Sequence, residues 1–429
     1  MTTTTATEQA RLDEAAGAEK PSEREAFWFW LKLGCISFGG PAGQIAIMHD
    51  ELVERRKWIS ERRFLHALNF CMALPGPEAQ QLASYVGYSL YGVRGAITSG
   101  GLFVAPSFVL LCLMSGVYVE YGDVTVVEGI VGGLGAAVVA LIAAAVLRVG
   151  SRVIHTRVAV GLAIVAFAAI VAGVPFPVII AIAALIGYLA GRSNPALLGR
   201  PASHGDADDP AEAHAGVSVR RRLAKGLVIW LLPVAVLILL GGLVGQLAGF
   251  FTLAALVTFG GAYAVLPFVA NAAVNHYGWL TSKDMVAGLA LGESTPGPLI
   301  MVNCFVGFVA GYHVGGNLGW GVLGATIATL VTFVPCFVLI ICGAPVIDRI
   351  RATGSFANGL NGLTISVVGV IAALAVFVAR HALIISGRPD WVLTPLAVAA
   401  FIAVWRYRVG VMPVVLTCAA VGIANTYLR

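Results

Sequence analysis

The triplet Phe38-Gly39-Gly40, the tryptophan Trp58 and the triplet Pro75-Gly76-Pro77 recur as Phe259-Gly260-Gly261, Trp279 and Pro296-Gly297-Pro298. Each landmark returns 221 positions later (38 to 259, 58 to 279, 75 to 296), so the two copies align without a gap. The chain is therefore a duplication, and both copies kept helix breakers inside apolar sequence. In a membrane protein, breakers at matching positions of two halves point to a substrate site built from interrupted helices at the repeat interface.

The membrane assignment rests on composition. Hydrophobic residues make up 59% of the chain and charged residues 11%. Apolar runs of about 20 residues, the length that spans a bilayer core as helix, recur from Phe27 to Leu428. Short alternating segments, the mark of a β-barrel, are absent. The expected fold class is all-α, a polytopic integral membrane protein with about thirteen transmembrane segments. They read as 27–48, 64–92, 95–119, 124–147, 158–173 and 176–191, then 226–248, 250–272, 285–312, 318–342, 360–380, 391–405 and 411–427. Residues 1–26 are polar, lack the apolar core of a signal peptide and read as a disordered cytoplasmic tail. Residues 192–225, with Asp206, Asp208, Asp209 and Arg220-Arg221-Arg222, read as a cytoplasmic linker between a first repeat (27–191) and a second (226–429).

Seven crossings would separate the two copies, so the second enters from the opposite side, as inverted-topology repeats do. Lys/Arg placement sets the orientation. With the N-terminus inside, Arg148, Arg152, Arg157, the linker, Arg349, Arg351, Arg406 and Arg408 are cytoplasmic, and the C-terminus is periplasmic or extracellular. One loop objects: Arg55, Arg56, Lys57, Arg62 and Arg63 fall outside. Either the first segment is a re-entrant hairpin or this loop is an exception.

Glycine pairs and proline open a membrane helix, because they lose helix propensity and a backbone hydrogen bond. Such a break survives only where protein or a water-filled cavity satisfies the freed groups. The helix that restarts presents free N–H groups and a positive dipole end, which suits an anion. The expected anion contacts are Phe38, Gly39, Gly40 and Gly43, Pro75, Gly76 and Pro77, Phe259, Gly260, Gly261 and Ala262, and Pro296, Gly297 and Pro298. A packing kink competes as an explanation at any single break. Gln80, Gln81 and Asn303, with Asn69 and Ser84 nearby, add neutral hydrogen-bonding groups, though membrane amides often only bridge helices.

Intramembrane acids are the second signal, since burying them is costly. Glu78 follows the first Pro-Gly-Pro and Glu293 precedes the second, at non-equivalent positions: Glu78 aligns with Leu299, and Glu293 with Met72. Both are candidates for proton coupling, against a plain helix-capping role. Lys32 either snorkels or attracts anions; Arg94 reads as topogenic, and His49, His66 and His276 as interfacial. Tyr91 and Tyr312 share the offset, and Ala105-Pro106-Ser107-Phe108 resembles Val334-Pro335-Cys336-Phe337 at an offset grown to 229. The seven cysteines show no metal-ligand spacing, and no cofactor, metal or nucleic acid is expected. The sequence holds no nucleophile–base pair or HExxH-like arrangement for a membrane enzyme; an anion channel stays open.

Phe38-Gly39-Gly40-Pro41, Leu74-Pro75-Gly76-Pro77-Glu78-Ala79-Gln80-Gln81-Leu82-Ala83 and their second-half versions Thr258-Phe259-Gly260-Gly261 and Ser294-Thr295-Pro296-Gly297-Pro298 resemble the chromate ion transporter (CHR) family in its long, two-domain bacterial form. The resemblance runs from residue 27 to 429. It implies export of chromate across the bacterial inner membrane, driven by the proton-motive force and conferring chromate resistance, with sulfate as a competitor. Sulfate, molybdate or another tetrahedral oxyanion is the alternative cargo. A homodimer is compatible with the sequence, which is silent on oligomeric state.

Overall fold

The computed structural model describes residues 21–38, 40–122, 124–193, 197–198, 219–259, 261–344, 354–385 and 387–428. Outside them lie the tail from 1 to 20, the linker acids Asp206, Asp208 and Asp209, the breakers Gly39 and Gly260, and Arg349 and Arg351.

The fold is all-α. In the first half, helices α1 (Glu23–Ile36) and α2 (Gly40–His49) flank the first break, and α3 (Glu61–Ala73) leads to Pro-Gly-Pro. Next come α4 (Glu78–Tyr121), α5 (Thr125–Val153), α6 (Arg157–Val171) and α7 (Phe176–Ser193). Helix α8 (Val219–Leu240) then joins the halves. The second half repeats the order: α9 (Gly242–Val257), α10 (Ala262–Asn271), α11 (Ser282–Ser294), α12 (Val302–Gly315), α13 (Leu318–Gly343), α14 (Gly354–Leu383), α15 (Leu393–Trp405) and α16 (Val411–Leu428). Among the described residues, strand pairing is confined to β1 (Ile384–Ile385) with β2 (Arg388–Pro389). Seven described helices are long and apolar enough to cross a membrane, with shorter apolar helices between them. The expected boundary near 249 lies instead at Gly241-Gly242, two glycines with φ +69° and +55° that turn the chain among leucines without a polar residue to announce it.

The duplication extends to individual hydrogen bonds. Both α2 and α10 end in a wider π-type turn, Asp50–Arg55 and Ala272–His276. After it, Trp58 N–H donates to Leu52 O and Trp279 N–H to Ala273 O, each at 2.8 Å. Ser60 and Thr281 cap α3 and α11 from equivalent positions.

The four broken segments fold back on themselves. Arg56, beyond the end of α2, pairs with Glu25 at the start of α1 (2.9 Å), and Trp58 meets Phe29 edge-on at 4.9 Å. In the second copy Trp279 meets Phe250, the residue equivalent to Phe29, at 5.8 Å, and its indole N–H donates to Gln246 (3.3 Å). Helix α4 is also a hairpin: Tyr91 and Gly92 leave helical geometry, so a short arm over 78–90 returns along a long arm over 93–121. Glycine lets the arms touch, since a Cβ on Gly87 would lie 2.4 Å from Gly95 O; Gly307 and Gly324 do the same between α12 and α13. Without a hydrophobic drive between helices in lipid, such close packing of small residues is the main source of association.

The two copies gather at opposite ends of the long arm of α4. Near its start, Tyr91 hydrogen-bonds Pro21 O, and Arg222 donates to Tyr88 (3.3 Å). Near its finish, Tyr118 donates to Asp284 of α11 (2.7 Å) and Tyr312 of α12 to Glu120 (3.0 Å). The long helices behind them pair reciprocally, α5 with α16 and α14 with α7. Gly133 of α5 packs on Cys418 and Gly362 of α14 on Ala183, equivalent contacts exchanged between copies.

In a cysteine-free background, Arg55→Cys and Arg94→Cys should react with an impermeant maleimide from one side of the membrane, and Lys283→Cys from the other. Labelling of Arg55→Cys and Lys283→Cys from the same side would contradict this arrangement.

Candidate functional site

The helix breaks converge. Gly76 N–H of the first Pro-Gly-Pro donates to Thr258 O at the second copy's Phe-Gly-Gly (2.7 Å). Gly297 N–H of the second Pro-Gly-Pro donates to Ser37 O at the first copy's Phe-Gly-Gly (2.8 Å). These are one contact made twice, because 76 and 297, like 37 and 258, are equivalent positions. The helix ends that lead into these carbonyls are closed alike: Ser37 Oγ donates to Leu33 O and Thr258 Oγ1 to Ala254 O, both at 2.6 Å. Orphan groups at each helix C-terminus are thus met by the residue's own hydroxyl and by the other copy.

The Pro-Gly-Pro loops admit only glycine. Gly76 and Gly297 have φ +123° and +112°, and an added Cβ would lie 2.6 Å from Cys336 Sγ and 2.4 Å from Ser107 Oγ respectively. Ser107 and Cys336 are the weak landmark at offset 229, and each reaches across to the other copy's loop. The first breaks approach each other too, with Tyr263 of α10 lying 4.0 Å from where a Cβ on Gly40 would stand.

Helix starts at these breaks lack side-chain caps. Pro77 before α4, Gly261 before α10 and Pro298 before the short turn Leu299–Met301 make no capping hydrogen bond. Ser22, Ser60, Thr156, Thr281 and Asn317 cap the starts of α1, α3, α6, α11 and α13, while Val124, Gly241 and Val392 leave α5, α9 and α15 without a side-chain cap as well. The helix starts at the breaks therefore present backbone N–H groups and positive dipole ends without a side-chain acceptor, an arrangement suited to an anion, whereas the Gly76 and Gly297 N–H groups are engaged by the other copy.

The amides make hydrogen bonds to the protein itself. Gln81 donates to Pro75 O (2.7 Å), which stiffens the first Pro-Gly-Pro from within. Gln80 donates to Ser84 (3.0 Å) against Gly100 of the long arm, and Asn303 to Thr332 (3.2 Å). Gln44 was not anticipated: fully buried, it donates to Gly297 O (2.6 Å) and Ser37 O (3.2 Å), clamping two breaks from different copies. A glutamine four residues after a Gly-Gly break, inside an apolar run, was the available signal.

The two acids have different surroundings. Glu293 is buried, accepts from Tyr263 Oη (2.8 Å) and feels the charge of Arg148 on α5. Glu78 is half-buried at the start of α4, within electrostatic reach of Cys71, with no hydrogen-bond or ion-pair partner among the described residues. Tyr263, two residues past the second break, also escaped the sequence reading. Phe38, Gly40, Pro41, Gly43, Phe259 and Gly261 are half-buried at the breaks; Gly76, Pro77, Pro296, Gly297 and Pro298 are buried, and Pro75 is half-buried. Lys32 and Arg94 are exposed, and His49 forms an exposed cluster with Asp50, Glu54 and Glu61 at the end of α2, outside the junction.

Comparison with known proteins agrees with this layout. The pattern defining the Chromate transporter family matches residues 24–188 and again 245–423, two stretches that begin 221 positions apart. A probable chromate transport protein of Synechococcus elongatus is 30% identical over 83% of this chain and 84% of its own length. A chromate transport protein of Pseudomonas aeruginosa is 30% identical over 93% of this chain and 91% of its own, and one of Cupriavidus metallidurans 27% over 84% of each. No solved structure matches. The chain belongs to the chromate transporter family.

Replacing Gln44 by leucine should strip Gly297 O of its donor and cost about 1–3 kcal/mol, the usual penalty for a buried unpaired group. Thermal unfolding of the purified protein reads this, and an unchanged midpoint would mean the clamp contributes nothing.

Proposed function

We propose that this chain exports chromate from the cytoplasm in exchange for protons and so confers chromate resistance, its two copies lying in the bacterial inner membrane with opposite orientation. The observation that carries the reading is the junction of helix breaks whose restarting helices have no side-chain caps. Chromate is a tetrahedral dianion whose four oxygens accept hydrogen bonds from several directions. Backbone donors from α2, α4, α10 and the Leu299–Met301 turn offer that without a fixed cation. Gly40, Gly43, Gly261 and Pro-Gly-Pro form the cradle; Gln44 and Gln81 hold its shape.

The topology supports the same reading. With the broken segments taken as re-entrant hairpins, the crossings are the long arm of α4, then α5 to α8 and α13 to α16. Five crossings separate the two sets of hairpins, so they open to opposite sides. Arg55, Arg56, Lys57, Arg62 and Arg63 then join Arg148, Arg152 and Arg157 inside, which removes that loop's conflict with the positive-inside rule and leaves Lys283, Arg380, Arg388 and Arg429 outside. The N-terminus is cytoplasmic and the C-terminus lies across the membrane. Rocking one copy's hairpins against the other's closes the junction on one side and opens it on the other.

Glu78 and Glu293 are the proton carriers. Glu78, unpaired beside the cradle, exchanges its proton with the open side; Glu293 does so through the Tyr263 contact. An inside-negative potential already drives a dianion outward, at about 2.3 kcal/mol per charge per 100 mV. An anion channel would use that drive as well. A cradle of backbone donors does not distinguish among tetrahedral oxyanions, so sulfate should compete.

Everted vesicles with an acidic lumen and the potential clamped at zero separate the mechanisms. The wild-type protein should accumulate chromate, which a channel cannot do without a potential. Glu78→Gln should lower that accumulation at least about tenfold, roughly the loss of one ~1.4 kcal/mol step, while chromate–chromate exchange persists. Undiminished proton-driven accumulation in Glu78→Gln would remove this residue from the mechanism.

A further inference from the structure

One cationic pocket stands apart from the junction. Arg24, Trp28 and Lys32 occupy successive turns of one face of α1, at i, i+4 and i+8, and line a cavity of about 420 Å³ with Ser22, Glu25, Phe29 and Arg56. That volume lies in the range of small-molecule sites. The far wall is rigid: the Arg56 guanidinium lies over Phe29 (4.9 Å) and Trp58 (5.1 Å) and pairs with Glu25 (2.9 Å) and Glu51 (3.4 Å). Glu25, the acid lining the cavity, is thereby engaged. Arg24 and Lys32 are exposed and have no ion-pair or hydrogen-bond partner among the described residues. Lys32 stands nine residues into α1, about 13 Å along its axis, between a buried face carrying Phe29, Trp30 and Leu33 and an outward face where Phe27 (41%) and Trp28 (59%) are exposed.

We propose that this pocket binds the headgroup of an anionic phospholipid, with Arg24 and Lys32 on the phosphate and the acyl chains along Phe27 and Trp28. The charge balance favours an anion: three cations line the cavity, and its one acid is neutralised by Arg56. The exposed aromatics favour a lipid over a free ion, because they offer apolar surface to chains at interfacial depth. The neighbouring Arg55, Lys57, Arg62 and Arg63 place the pocket on the basic side of the protein, where anionic lipids are drawn. The pocket is an open groove on the outside of the first hairpin, lined by α1 and by Arg56 beyond the end of α2, so an occupant would bridge these two parts. The inference does not depend on which anion the protein carries.

Native mass spectrometry of the full chain, released from micelles with phosphatidylglycerol or phosphatidylcholine, tests it. Phosphatidylglycerol should remain bound at collision energies that remove phosphatidylcholine. The Lys32→Gln and Arg24→Gln/Lys32→Gln variants should lower its occupancy about tenfold at equal thermal stability, and Lys32→Arg should restore it. Equal retention of both lipids, or full retention in the double variant, would overturn the proposal. So would displacement by millimolar inorganic phosphate, which would mark a free-anion pocket. Should the double variant fail to fold, Lys32→Gln alone and the comparison of lipids on the wild-type protein still decide the matter.

Discussion

Two backbone hydrogen bonds, Gly76 N–H to Thr258 O and Gly297 N–H to Ser37 O, are the constraint on which the rest of the architecture depends. A helix interrupted in the membrane interior leaves polar groups that lipid cannot satisfy, at several kcal/mol each. Here each copy's interruption is completed by the other's. Each copy's break is thus matched to the other's, a physical reason for glycine and proline to stand at all four positions while neighbouring residues differ between copies. The same reciprocity reaches outward: Ser107 and Cys336 close over the opposite loops, and α5 with α16 and α14 with α7 exchange close glycine contacts. The common frame is therefore a two-fold exchange, and it fixes where the breaks meet.

Side chains then remove the symmetry. Gln44 holds Gly297 O, but its equivalent is Val265, so Gly76 has no matching clamp and is supported by Gln81 within its own copy. Gln81 is matched by Val302, Tyr263 by Ala42, Glu293 by Met72 and Glu78 by Leu299. The polar groups are thus complementary, each copy supplying what the other lacks. A symmetric frame with asymmetric acids gives the two copies' breaks different environments.

Much of this was legible in the sequence because glycine and proline act through local backbone physics. Phe-Gly-Gly and Pro-Gly-Pro had to break helices, and their common offset placed the breaks at corresponding points. The apolar segments were equally plain from their length. What sequence could not supply was the direction taken after each break. A proline opens a helix without stating whether the next stretch continues across or turns back, and the contacts Arg56–Glu25 and Trp58–Phe29 decide that it turns back. The basic loop 49–63 had signalled as much by violating charge placement. The turn at Gly241-Gly242 was hidden because its neighbours are leucines on both sides. The amides' partners were hidden for a related reason: a buried glutamine reads as a potential ligand, and the sequence does not show that Gln44 and Gln81 donate to carbonyls that the broken backbone exposes.

A cradle built from backbone rather than from arginine or lysine has a consequence for turnover. A fixed cation would hold a dianion with a charge-assisted bond and slow its release. Helix starts supply partial charge only, about half an elementary charge each and strongly dependent on geometry. On the proposed mechanism, hairpins that move apart would weaken several such contributions together, so affinity would fall with the motion that opens the site. Under the proposed function, anion affinity would be tied to the same backbone exchange that holds the two copies together.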